Sequence, residues 1–197
     1  MTPTFARQAS ITPQGIALLS ARSRHALVAA LIFVEKATAR TLDVSALDTW
    51  FQRHLVGTGW MPWPGQVSEP RVGGVELAPG TRATPEIEAR CESIVQEARA
   101  QVVITLRGFV GPESDDRFLA AAIFRGRVQR DSRGMMAAWV PQPSVEDPLS
   151  EIVISLFAAD ILGNRESYER ALGVCRACGR VSFDPGGIEK PRCPAHG

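Results

Sequence analysis

A chain of 197 residues with 45% hydrophobic content can bury a sizeable core, which excludes a wholly disordered protein. Its formal net charge of +1 excludes an overall field that draws it onto nucleic acid or an anionic membrane, so any such binding needs a local patch. All but two of the 22 basic residues are arginine, the exceptions being Lys36 and Lys190, a bias typical of a GC-rich bacterial genome. Without Gly-Lys-Ser or Gly-Lys-Thr no P-loop can be built, and Gly57/Gly59 and Gly73/Gly74 do not extend to GxGxxG.

Residues 1 to 14 hold two prolines without periodicity and read as a flexible arm. A helical pattern follows from Ile16 to about Arg40, with Ile16, Leu19, Leu27, Leu31 and Val34 at helical spacing. Its longest apolar run, Ala26 to Val34, is far shorter than the roughly 20 residues that span a bilayer. With no secretory leader at Met1 to Arg7, a cytoplasmic protein without membrane association is expected. Asp43 or Ser45 can cap a second helix with Leu47, Trp50, Phe51 and Leu55 on one face, ended by Gly57.

Residues 57 to 83 are crowded with Gly and Pro, predicting a long irregular connection with a short hairpin at Arg71 to Leu77. Thr84-Pro85 reads as an N-cap and N1 proline, with Glu86 and Glu88 suited to the positive helix end. Ile87, Cys91, Ile94, Val95 and Ala98 continue that helix to about Ala100. Partial alternation at Gln101 to Val110 predicts a strand, followed by strands at Arg117 to Gln129 and Met135 to Val140 around a turn at Arg130 to Gly134, although the Ala-rich Phe118 to Phe124 could begin as helix. Asp147-Pro148 repeats the cap-and-proline signal before an apolar helix, Leu149 to Leu162, ended by Gly163; Asn164 can cap a last helix to Leu172. The expected fold is α+β: a helical domain, 15 to 172, with a three-stranded antiparallel meander, then a zinc ribbon at 173 to 197.

That C-terminal segment holds the most specific pattern in the chain. Cys175-Arg-Ala-Cys178 and Cys193-Pro-Ala-His196 each place two metal-binding side chains three positions apart, the spacing of a knuckle turn. The 14 residues between the pairs allow a hairpin, Arg180 to Phe183 out and Ile188 to Arg192 back. Three thiolates and an imidazole suit the tetrahedral preference and borderline softness of Zn²⁺. Four protein ligands leave no open position, so the zinc is expected to be structural. A redox CxxC or an iron–sulfur centre is the alternative, and the paired spacing argues against both.

The CRACGR-x-x-F and CPAHG segments resemble the knuckle pairs of bacterial zinc-ribbon and treble-clef modules, including CGNR-type fingers at the C-termini of some transcription regulators. The resemblance covers about 24 residues and implies metal binding. A treble clef carries a helix after its second knuckle; the sequence ends at Gly197, so a ribbon is the closer match and the implied DNA contact is weaker.

Other residues suggest binding surfaces. Arg125, Arg127, Arg130 and Arg133 lie within nine residues and could meet phosphates, although a solvated hairpin tip explains them as well. Trp60 and Trp63 place two indoles in the long loop, where they either anchor a partner or cover the core. Glu113, Asp115 and Asp116 read as a solvated turn before a cation site, and Cys91 as a buried small hydrophobe. His25 and His54 sit in no nucleophile signature, and no catalytic carboxylate pair stands out. The expected function is a non-enzymatic, zinc-stabilised binding or regulatory protein that engages a protein or nucleic-acid partner. Nucleic-acid binding through the Arg125 to Arg133 hairpin and ribbon is the second reading, and an enzyme with its site near His54 and the 57 to 83 loop is the third.

Overall fold

The computed structural model describes residues 13–61, 71–72, 75–76, 83–131, 138–184, 193 and 195–196. Helix α1 spans Pro13–Thr38. Its small residues Ala26, Ala29, Ala30 and Ala37, with Phe33, are fully buried, since small side chains let a neighbouring helix approach closely. Asp43 caps α2, Val44–Phe51, by accepting from the Ala46 N–H at 2.7 Å. The chain then widens into a π turn, Gln52–Val56, closed at Gly57. Trp50 Nε1 donates to the Ala29 carbonyl at 3.0 Å, which lets the indole be buried without losing a hydrogen bond.

Strands β1, Arg71–Val72, and β2, Val75–Glu76, pair antiparallel within the expected Arg71 to Leu77 hairpin. Thr84 caps α3, Pro85–Val110, with its hydroxyl accepting from the Ile87 N–H. The strand expected at Gln101 to Val110 is therefore the second half of a long helix. Cys91, Val95, Ala98, Val102, Leu106 and Phe109 form one buried stripe at helical spacing. That continuing stripe overrides the local β preference of Val102, Val103, Ile104 and Thr105. Ile104, off the stripe, is 61% exposed.

Helix α4, Arg117–Phe124, replaces the first half of the strand expected at Arg117 to Gln129. Gly126 ends it with φ +69°, its N–H donating to the Ile123 carbonyl and the Arg127 N–H to that of Ala122. This is a Schellman cap, which needs the left-handed conformation glycine supplies. Strands β3, Val128–Asp131, and β4, Ala138–Pro141, then pair antiparallel. Among the described residues every sheet is two-stranded, so the expected three-stranded meander is not formed. Its first strand was needed as helix.

Helix α5, Leu149–Ala171, runs through the middle of the molecule, with Ile152, Val153, Leu156, Phe157 and Ile161 fully buried. It packs against α1, α3, α4 and the β3–β4 hairpin. Asp147 does not cap it; the Asp147 carboxylate accepts instead from the Ser144 N–H at 2.7 Å. The break expected at Gly163 falls at Asn164, whose φ and ψ are non-helical. Asn164 donates to the Asp160 carbonyl and carboxylate at 3.1 and 3.2 Å, and the Tyr168 hydroxyl donates to the same carboxylate. This polar cluster bridges the break. Among the described residues no helix is long and apolar enough to cross a membrane.

Strands β5, Leu172–Val174, and β6, Val181–Phe183, close the described chain as an antiparallel pair. The segment expected to pair with Arg180 to Phe183, Ile188 to Arg192, lies outside the described residues. The partner of β6 here is the strand that leaves α5.

Candidate metal centre

The β5–β6 register, Leu172 with Phe183 and Val174 with Val181, leaves Cys175 to Arg180 as the hairpin tip. The Cys175 N–H donates to the Arg180 carbonyl at 2.9 Å, and the Gly179 N–H to the Cys175 carbonyl at 3.0 Å. Gly179 has φ +73°, and an added Cβ would stand 3.1 Å from both Arg99 Nη2 and Val103 Cγ1. The positive φ favours glycine there, and a Cβ would crowd both side chains. A second turn, closed by the His196 N–H on the Cys193 carbonyl at 3.1 Å, brings the other ligand pair in.

The donor atoms of Cys175, Cys178, Cys193 and His196 all lie within 4.8 Å of one another. Cys178 Sγ to Cys193 Sγ is 3.7 Å, Cys175 Sγ to His196 Nδ1 is 3.7 Å and Cys193 Sγ to His196 Nδ1 is 3.4 Å. Sulfur and nitrogen donors at tetrahedral corners, about 2.3 and 2.0 Å from one ion, are separated by roughly 3.5 to 3.8 Å. The four residues are close enough together to hold one metal ion. A disulfide needs sulfurs about 2 Å apart, and all four cysteines are free. The His196 ring beside Cys193 pulls that thiol down to about 6, which favours the thiolate a metal requires.

Helix α3 grips the first knuckle from outside. Arg107 Nη2 donates to the carbonyls of Cys175 and Arg176 at 2.7 and 2.9 Å. Arg99 donates through Nη2 to the Cys178 carbonyl and through Nε to Thr38 Oγ1 at 2.9 Å, so one guanidinium ties the knuckle to α3 and to the end of α1. Below the hairpin the Phe183 ring packs 4.8 Å from that of Tyr168. Sequence reading missed both arginines in this role. Arg107 sat in a presumed strand, and a contact across about 70 residues leaves no local signal.

The arginine patch is divided by the structure. Arg125 pairs with Glu151, and Arg127 with Asp147 at 2.5 Å. Asp147 is 4% exposed, and its burial pushes the carboxyl pKa up. Arg130 is exposed on β3, and Arg133 lies outside the described residues. Asp115 pairs with Arg117, and Asp116 with Arg165, so these acids serve as ion-pair partners. No match was found among protein families, curated proteins or solved structures.

Trp60 is 9% exposed and packs edge-on to His25, placing it in the core cover. Trp63 lies outside the described residues. Cys91 is buried with its thiol pushed up to about 11, chiefly by desolvation, so it is a poor nucleophile. His54 is the least ordinary residue of this region. It points inward from the π turn, 5% exposed, with Nδ1 3.4 Å from His25 Nε2. Trp50, Arg53 and His54 border a cleft of about 400 Å³, with Glu35 and Lys36 across it.

Burial first, then the charges of His25, Arg53 and Lys36, lower the His54 pKa from 6.5 to about 4. Between those values the unfolded chain binds a proton that the folded chain refuses, so stability falls as pH drops through this window. The loss amounts to about 3 kcal/mol once pH is below 4. Urea unfolding of the chelator-treated protein from pH 7 to pH 4 should show that slope, and His54→Gln should reduce it. An unchanged slope in the variant would place the acid sensitivity elsewhere.

Proposed function

We propose that the chain is a non-enzymatic, zinc-stabilised binding protein in which the ion fixes the shape of the C-terminal hairpin and a protein partner docks elsewhere. The grip of Arg99 and Arg107 on the knuckle carbonyls carries this reading. Two long side chains from a helix are committed to holding the metal loop in place, as a structural centre needs and a labile reactive one does not. Zinc is preferred because three thiolates and one imidazole saturate its tetrahedral shell. Three thiolates around Zn²⁺ leave one negative charge, and the neighbouring guanidinium groups offset it.

For the partner surface, Phe124 supports the α4 end: it is 93% exposed, with Ile123 42% exposed beside it. An exposed aromatic flanked by an arginine is the composition of an interface anchor. Nucleic-acid binding through the arginines is the weaker reading, since Arg125 and Arg127 are already neutralised by Glu151 and Asp147.

The test is metal analysis and native co-purification of the intact chain beside Phe124→Asp and Cys175→Ser/Cys178→Ser. One zinc per intact chain and a stoichiometric protein that Phe124→Asp releases without lowering the melting temperature are expected. Absence of zinc, or a partner indifferent to Phe124→Asp, would count against the proposal.

A further inference from the structure

We propose, on the reading of a structural metal centre, that Arg99 couples that centre to the C-terminal turn of α1, so that metal binding and the closing of the turn support each other. The turn forms part of a second site. Lys36, Ala39 and Thr41 border the cleft beside His54, so one wall of that cleft is held in place from the metal end of the molecule.

The end of α1 is closed in a way that needs outside support. The Arg40 N–H donates to the Ala37 carbonyl at 3.2 Å, and the Thr41 N–H to the Lys36 carbonyl at 2.9 Å. This is a Schellman cap, whose left-handed position is most often glycine. Here it is Arg40, with φ +55°. A side chain in that conformation carries a steric cost, and it persists where neighbouring contacts hold the backbone.

Helix α3 supplies those contacts. Gln96 Nε2 donates to the Ala37 carbonyl at 2.8 Å, Arg99 Nε donates to Thr38 Oγ1 at 2.9 Å, and Arg40 pairs with Glu92 at 3.3 Å. The Thr38 hydroxyl donates to the Val34 carbonyl at 2.7 Å, one turn back in α1. Of the three α3 side chains, Arg99 is the one that also reaches the knuckle, through Nη2 to the Cys178 carbonyl. The next residue, Gly179, lies against the same guanidinium, where a Cβ would stand 3.1 Å from Nη2. A guanidinium is a rigid planar fork, so its two contacts form or loosen together. A braced hairpin holds the Cys178 carbonyl still and keeps Arg99 on Thr38; a loosened one leaves the Arg40 turn to Gln96 and Glu92.

Hydrogen exchange and zinc affinity of the full chain test the coupling. Stripping zinc should speed exchange of the Ala39, Arg40 and Thr41 amides about tenfold, the scale of one charge-assisted hydrogen bond, while Ile152 to Ile161 stay protected. Thr38→Val gives Arg99 no acceptor on α1. It should speed those amides in the zinc-loaded protein and shrink their response to zinc removal to about twofold or less; it should also weaken zinc, because coupling is reciprocal. Glu92→Gln loosens the same turn without touching the knuckle, so it should leave both the zinc response and the zinc affinity intact. Unchanged exchange at Ala39 to Thr41 on zinc removal, a full response in Thr38→Val, or an equal loss of zinc affinity in Glu92→Gln would overturn the coupling. A chain that binds no zinc would overturn it together with the structural-metal reading, whereas bound zinc with these amides indifferent overturns the coupling alone. If the metal-free chain unfolds throughout, the zinc affinities of Thr38→Val and Glu92→Gln decide.

Discussion

Replacing Cys178 by Ser, or stripping the metal with a chelator, is expected to lower the melting temperature by roughly 10 to 20 °C and to free the amides of residues 172–184 for hydrogen exchange. The central helix, with Ile152, Val153, Leu156 and Phe157 fully buried, should stay protected. The size of the effect follows from what the knuckle touches. An ion shared with Cys193 and His196 would brace the hairpin that presents the carbonyls of Cys175, Arg176 and Cys178 to Arg107 and Arg99, and its loss would loosen them. Hydrogen bonds with one charged partner contribute about 1.5 to 3 kcal/mol each, so three of them are worth roughly 4 to 6 kcal/mol after overlap. In a chain of this length each kcal/mol shifts the midpoint by about 2 to 4 °C. A melting temperature unchanged within a degree, with residues 172–184 still protected, would falsify a stabilising role for the metal. Global loss of protection at Ile152 to Ile161 would show instead that the helical body depends on the ion.

The four candidate ligands were legible because a knuckle is local: two residues between donors and a glycine in the turn record the geometry in a few adjacent letters. Helix starts were legible for the same reason at Asp43 and Thr84, where the cap side chain bonds three residues ahead. The error at 101–110 came from reading a window too short to see that Val102, Leu106 and Phe109 continue the stripe begun at Cys91. A β-rich run attached to an uninterrupted helical stripe is better read by the stripe.

Asp147-Pro148 was misleading in another way. The dipeptide does mark where α5 begins, but the carboxylate serves a tertiary ion pair that sequence cannot display. Arg99 and Arg107 belong to that same class. They arise from which helix faces meet, and no short pattern encodes that.

Arg127→Ala is expected to cost about 3 kcal/mol at pH 7, far more than loss of a surface arginine. Arg127 is 31% exposed, but its partner Asp147 is only 4% exposed. Removing one member of such a pair strands the other, and a buried unpaired charge costs about 3 to 5 kcal/mol, with the lower end fitting a partly solvated arginine. Burial already raises the Asp147 pKa with Arg127 in place. Without the guanidinium it should rise further, so the folded variant holds a proton that the unfolded chain has released near neutral pH. For a group whose folded pKa is raised, the favourable contribution is complete below the unfolded pKa and disappears as pH climbs through the folded one. The deficit of Arg127→Ala should therefore be largest at pH 7 and shrink toward pH 4. Asp147→Asn keeps an acceptor for the Ser144 N–H and carries no charge, so adding it to Arg127→Ala should restore most of the loss at neutral pH. Urea unfolding of the two single variants and the double at pH 7 and pH 4.5 measures the coupling. A cost below 1 kcal/mol for Arg127→Ala, or no recovery in the double variant, would mean that this pair is solvated in solution and that Arg127 is free to meet an outside phosphate.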